Sequence, residues 1–100
     1  MPTVGTVTLD PFEFFPVTVG FAAELSDGET ISNPSASAIN KNTGVDSSSI
    51  VLLGTPSVDG PNIVQKVKGS ASGEKHVVSI IAETSQGNAW VGKVVLKMKA

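Results

Sequence analysis

The chain has no cysteine, no tyrosine, no arginine and one histidine in 100 residues. Each absence removes a class of function. Without cysteine there is no disulfide, no thiolate metal site and no cysteine nucleophile. Small β-domains outside the cell usually rely on disulfides, so the composition predicts folding in the cytosol. All seven basic residues are lysine, which lacks the planar fork that suits base edges and phosphates. With a net charge of -2, nucleic acid is not an expected partner. The apolar runs are too short to span a bilayer. Met1 to Thr6 shows no basic stretch followed by an apolar core, so neither a membrane segment nor a signal peptide is expected.

Helical periodicity is lacking as well, for no stretch sustains apolar i, i+3, i+4 spacing with caps. What is present is a series of short β-type runs, parted by Gly, Pro, Ser, Asn and Asp at roughly ten-residue intervals. That spacing belongs to a sandwich or barrel. One hundred residues make one domain with a modest core.

The clearest pattern runs from Gly69 to Met98. His76 to Thr84 is apolar on both sides for most of its length and is expected at the centre of a sheet. The chain reverses at Ser85-Gln86-Gly87-Asn88. It returns with Trp90, Gly92, Val94, Leu96 and Met98 on one face, and Val91, Lys93, Val95, Lys97 and Lys99 on the other. Such period-two alternation marks a half-buried strand.

Earlier segments are read in the same way. Residues 1–9, with Val4 to Leu9 as the β-rich part, are an edge strand or a flexible arm, broken by Asp10-Pro11. Phe12 to Phe21 places Phe15, Val17, Val19 and Phe21 on one face and Phe12, Phe14, Thr18 and Gly20 on the other. Pro16 has no N–H to donate, which assigns that strand to an edge or a bulge. Core anchoring is the expected role of these phenylalanines, unless Phe12 and Phe14 are exposed together, which would indicate a binding patch. Pro34 to Ile39, Ile50 to Leu53 and Ile63 to Lys68 are the remaining strands, with turns at Asp27-Gly28, Asn40 to Ser49 and Gly54 to Pro61. Pro16 and the lysines Lys93, Lys97 and Lys99 are expected to guard exposed strand edges.

Met1 to Ile50 holds six acids and one lysine, and Val51 to Ala100 holds three acids and six lysines. Such polarity could steer head-to-tail assembly. Strands from both halves interleave in a sandwich, however, so this asymmetry need not become a surface dipole.

No catalytic residue is expected. His76 opens a strand, with no acidic partner suggested by local spacing, and is read as structural. The acids sit mostly at turns (Asp10, Asp27, Glu29, Asp46, Asp59, Glu74) rather than as a facing pair. Glu24, Asp27 and Glu29 lack calcium-loop spacing. Gly69-Ser70-Ala71-Ser72-Gly73 leads into a strand without the Lys-Ser/Thr of a phosphate loop. Neither metal nor cofactor is called for.

Gly73-Glu74-Lys75-His76-Val77-Val78-Ser79, followed by Ala82 to Gly87, resembles the late hairpin of immunoglobulin-like domains. There a tyrosine opens the strand at a corner and a core residue lies two positions on; His76 and Val78 stand at those places. The resemblance implies an all-β, immunoglobulin-like antiparallel β-sandwich of about seven strands. A narrower likeness runs through Leu9-Asp10-Pro11, Leu25 to Ile31, Gly69 to Gly73 and Glu83 to Gly87. In order and spacing these are similar to a family of small tailed-phage and prophage proteins, virion-associated and immunoglobulin-like. That likeness implies a non-enzymatic structural or accessory protein, for virion assembly or capsid and tail decoration, in the virion or the host cytoplasm. Its partners would be protein, either other virion components or itself as a homo-oligomer. Phe12, Phe14, Lys93, Lys97 and Lys99 are the expected interaction surface. The alternative is a free-standing binding or adhesion module for carbohydrate or a host surface, with Phe12, Phe14 and Trp90 as candidates.

Overall fold

The computed structural model of the chain describes residues 3–99, and the first two residues of the expected N-terminal strand or arm lie outside them. The elements are β1 (Thr3–Leu9), β2 (Phe14–Gly20), β3 (Ile31–Asn40), a single helical turn α1 (Ser48–Val51), β4 (Ser57–Asp59), β5 (Asn62–Lys68), β6 (Lys75–Thr84) and β7 (Ala89–Met98). Two sheets form, one in the order β1-β7-β6-β3 and the other in the order β2-β5-β4. The chain is an all-β sandwich of seven strands. Its β3-β6-β7 and β2-β5-β4 groupings are those of strands C-F-G and B-E-D in the immunoglobulin fold.

One pairing departs from the antiparallel expectation. β1 runs parallel to β7, with Val7 beside Leu96 and Leu9 beside Met98. The first strand therefore extends the sheet of β7 rather than covering β2. This leaves β2 as an edge, as Pro16 requires. The Glu13 carbonyl accepts from the Gly69 N–H at 2.7 Å and the Phe21 N–H donates to the Pro61 carbonyl at 3.0 Å. Odd-numbered residues of β2 thus bond towards β5, and Pro16 turns its nitrogen to the open edge, interrupting the row of free N–H groups there.

The lysines of β7 do not guard an edge. β7 lies between β1 and β6, and Lys93 and Lys97 stand exposed on the outer face of the four-stranded sheet. Val94, Leu96 and Met98 are buried on its inner face. Each such side chain contributes about 1.5–3 kcal/mol relative to exposure. A one-residue slip would bury lysines and expose these three, which fixes the register. β6 is central, between β7 and β3. Its inner face supplies Val78, Ile80 and Ala82 to the core, opposite Val17, Val19, Ile63 and Val67 of the other sheet.

Two further segments differ from the sequence expectation. Ile50 to Leu53 is not a strand: Ser48–Val51 forms one helical turn, held by Val51 N–H to Ser47 carbonyl at 3.0 Å. The Gly54 to Pro61 turn contains a short edge strand, β4, because Val58 pairs with Ile63.

At the end of the sandwich holding the β2–β3 loop and the β6–β7 hairpin, the buried Glu29 carboxylate fastens the two together. It accepts from Thr84 Oγ1 at 2.5 Å, from Asn88 Nδ2 at 2.9 Å and from the Ser26 N–H at 2.9 Å. These donors, Thr84 foremost, then Ser26 and Asn88, favour the charged form and hold its pKa below the ordinary glutamate value. A depressed carboxylate pKa stabilises the fold above the unfolded-state value and loses that contribution as pH falls through the folded value. Glu29→Gln is therefore expected to lower the melting temperature at neutral pH, with the gap to wild type closing as the solution is acidified. Circular dichroism melts across pH check this, and a gap independent of pH would contradict it.

Candidate functional site

The residues joining β1 to β2 form a four-residue turn, Asp10-Pro11-Phe12-Glu13, closed by Glu13 N–H to the Asp10 carbonyl at 3.1 Å. Pro11 presets the second position, and the third position has φ +64. That is the type II pattern, in which glycine or asparagine normally fills the third place. Here it is filled by phenylalanine. A side chain with a Cβ costs about 1–2 kcal/mol in the left-handed region, and Phe12 is the only non-glycine residue with positive φ among those described. Its ring recovers little by burial, for it is 66% exposed. Phe14, on the outer face of β2, is 63% exposed, and Phe15 is 42% exposed.

The turn is rigidly seated. The Asp10 N–H donates to Glu13 Oε1 at 2.9 Å, and the Gly69 N–H to the Glu13 carbonyl at 2.7 Å. Gly69 fits because it has no side chain: a Cβ there would lie 2.5 Å from the Asp10 carbonyl oxygen and 2.7 Å from the Phe12 nitrogen. Lys99, just after β7, places Nζ 3.3 Å from the Asp10 carboxylate. Both groups are exposed, so the pair orients more than it stabilises.

Phe12 and Phe14 are thus exposed together, and the phenylalanines at the start of β2 form a patch rather than core. Phe15 belongs with them although its alternation points it inward, for at the start of β2 it remains 42% exposed. Phe21 alone of the four is buried. Of the five expected surface residues, Phe12, Phe14 and Lys99 come together at the β1–β2 turn. Lys97 lies towards the same end on the outer face of the other layer, and Lys93 sits further along that face. Trp90 is half-buried and packs against the core.

Beneath this end lies a buried polar network. His76 is fully buried, with Nδ1 2.8 Å from Ser47 Oγ and Nε2 2.8 Å from Ser70 Oγ and 3.2 Å from Glu74 Oε1. A carboxylate only accepts, so the set is satisfied with the proton on Nε2 and the Ser47 hydroxyl donating to Nδ1. Hydrogen bonding, from Ser70 first and then from His76, holds the Glu74 carboxyl below its ordinary pKa. The missing acidic partner of His76 is therefore Glu74, two residues upstream.

Serine, imidazole and carboxylate are connected here as in a nucleophile–base–acid relay. Yet Ser47, Ser70 and His76 are all buried, and no cavity opens onto them among the described residues. The network instead joins the β3–α1 loop to the β5–β6 corner. It stands where the immunoglobulin tyrosine corner reaches upstream from the same strand.

No group of three or more metal-ligating side chains occurs among the described residues, nor any helix long and apolar enough to cross a membrane. No family model matches the chain, and no curated protein matches it.

Proposed function

We propose that the chain is a non-enzymatic immunoglobulin-like module, a structural or accessory component of a phage or prophage particle, that docks on a protein partner through the Phe12 turn. One observation carries the docking role: a phenylalanine held exposed in a backbone conformation that glycine or asparagine would adopt at lower cost. Strain retained at an exposed aromatic residue points to a contact made outside the fold. Exposed aromatic rings on a rigid support are the usual anchors of protein interfaces. The particle context rests on the resemblance of the turn and hairpin motifs, and a place in the virion or the host cytoplasm goes with it.

The same rings favour a second reading, a module for carbohydrate or a host surface, although Trp90, the third aromatic candidate, is packed on the core. Phe12→Asn separates the two. Wild type is expected to co-sediment with structural proteins encoded beside it, and Phe12→Asn, folded equally well, to remain in the supernatant. Equal co-sedimentation of both would overturn the docking role. Heat on titration with a glycan panel, lost in Phe12→Asn, would move the conclusion to the second reading.

A further inference from the structure

Charge is sorted along the molecule by end, not by half of the sequence. A ten-residue strand spans about 33 Å, so the 44 Å axis of the molecule runs along its strands. At one end lie the β2–β3 loop, the β4–β5 turn and the β6–β7 hairpin, with Glu24, Asp27, Asp59 and Glu83, the buried Glu29 beneath them, and no lysine. At the other lie the Phe12 turn, the β5–β6 corner, the start of the β3–α1 loop and the end of β7. Lys41, Lys68, Lys75, Lys97 and Lys99 collect there.

Lysines and acids at this second end differ in how far they are engaged. Asp10 pairs with Lys99, Glu13 bonds the Asp10 N–H, Asp46 bonds the Ser48 N–H, and Glu74 faces His76. By contrast, Lys41, Lys75 and Lys97 make no ion pair among the described residues. Lys97 sits directly opposite Lys75, and the Lys41 N–H donates to the Lys75 carbonyl at 2.8 Å, so the three form a row across β7, β6 and the end of β3. Like charges directly opposite on paired strands destabilise a sheet. An acidic counter-surface would relieve that repulsion.

We propose that the lysine- and phenylalanine-bearing end docks on the acidic end of a second copy, producing a head-to-tail stack. The acidic end offers a matching mixture, because Ala22, Ala23 and Leu25 lie among its carboxylates. A contact between unlike ends does not close on itself unless the rotation happens to do so, and it otherwise propagates. The end face, about 22 × 21 Å, is well below the ~800 Å² per partner of a stable interface. The stack is therefore weak, concentration-dependent and salt-sensitive. It shares the Phe12 turn with the docking reading but does not depend on the particle context.

Sedimentation velocity of the full chain over a concentration and salt series tests this. At low salt the average mass is expected to rise with concentration without a plateau. It should fall to monomer near 1 M salt, where the screening length is about 3 Å. Lys75→Glu with Lys97→Glu is expected to abolish association, and so is Glu24→Lys with Asp27→Lys. An equimolar mixture of the two variants should restore it, since each then offers ends complementary to the other's. Melting curves confirm that both variants are folded.

Monomer at every salt concentration would overturn the proposal, and so would a closed dimer indifferent to these substitutions. Binding to phosphatidylserine vesicles without self-association would also overturn it, assigning this end to a lipid surface. Neither a monomer nor an indifferent closed dimer touches the docking reading, which Phe12→Asn tests separately.

Discussion

Replacing His76 with alanine is expected to destabilise the fold by about 3 kcal/mol, read as a lower urea midpoint with unchanged slope. Two losses combine. The ring is fully buried at the start of β6, so its removal leaves a cavity between the two sheets. The Ser47 hydroxyl, 2.8 Å from Nδ1, then loses its ring partner, at a cost of about 1–3 kcal/mol for an unsatisfied buried group, while Ser70 keeps Glu74. For a domain whose whole stability is about 5–15 kcal/mol, that is a large fraction. His76→Gln, which supplies one donor and one acceptor, should recover part of the loss. A loss well under 1 kcal/mol in His76→Ala would show that water replaces the ring and that the network does not tie the corner.

The second large effect is expected at Gly69. Its reason is steric, because the atoms a Cβ would meet at 2.5 and 2.7 Å are both backbone. A side-chain end could swing aside; a turn closed by its own hydrogen bonds cannot. Gly69→Ala should therefore move the whole Asp10–Glu13 turn, break the Gly69–Glu13 hydrogen bond and cost about 1–3 kcal/mol, the range for overpacking. The Phe12 ring would lose its fixed direction at the same time. Amide exchange at residues 10–13 should accelerate while β6 and β7 remain protected. Unchanged exchange across the turn would mean that it yields without strain.

β6 and β7 are legible in the sequence because each buries one complete face. Alternation over ten residues leaves no other register, and the both-sided apolar character of β6 follows from its place between two neighbours. β2 was readable as an edge for a single reason, the nitrogen of Pro16. The partner of β1 was not readable, since Val4 to Leu9 carries no strong alternation and parallel pairing leaves no hairpin turn as a marker. α1 and β4 escaped because four and three residues are too few to express a period.

The site divides in the same way. Phe12 and Phe14 stood out as a pair, but whether they faced the core depended on where the sandwich ends, which no local pattern records. The available signal was Asp10-Pro11-Phe12-Glu13: proline at the second position marks a β-turn of type I or II, which places Phe12 at a turn tip, while the positive φ that distinguishes the two types is not written in the residues. The partners of His76 were half visible. Glu74 and Ser70 are near in sequence, whereas Ser47 lies 29 residues away and reaches the ring only because α1 folds back between the sheets. The charge sorting was hidden for a related reason, since β-sheet topology sends alternate turns to opposite ends of the molecule.

The central claim is that Phe12 is held outward at the expense of stability. The unfolding free energy of Phe12→Asn tests it most directly. Asparagine tolerates the left-handed conformation, and little buried surface is lost, so the variant should be more stable than wild type by about 1 kcal/mol. A variant less stable by a similar amount would show that the Phe12 ring holds the fold together, and the turn would then be no docking site.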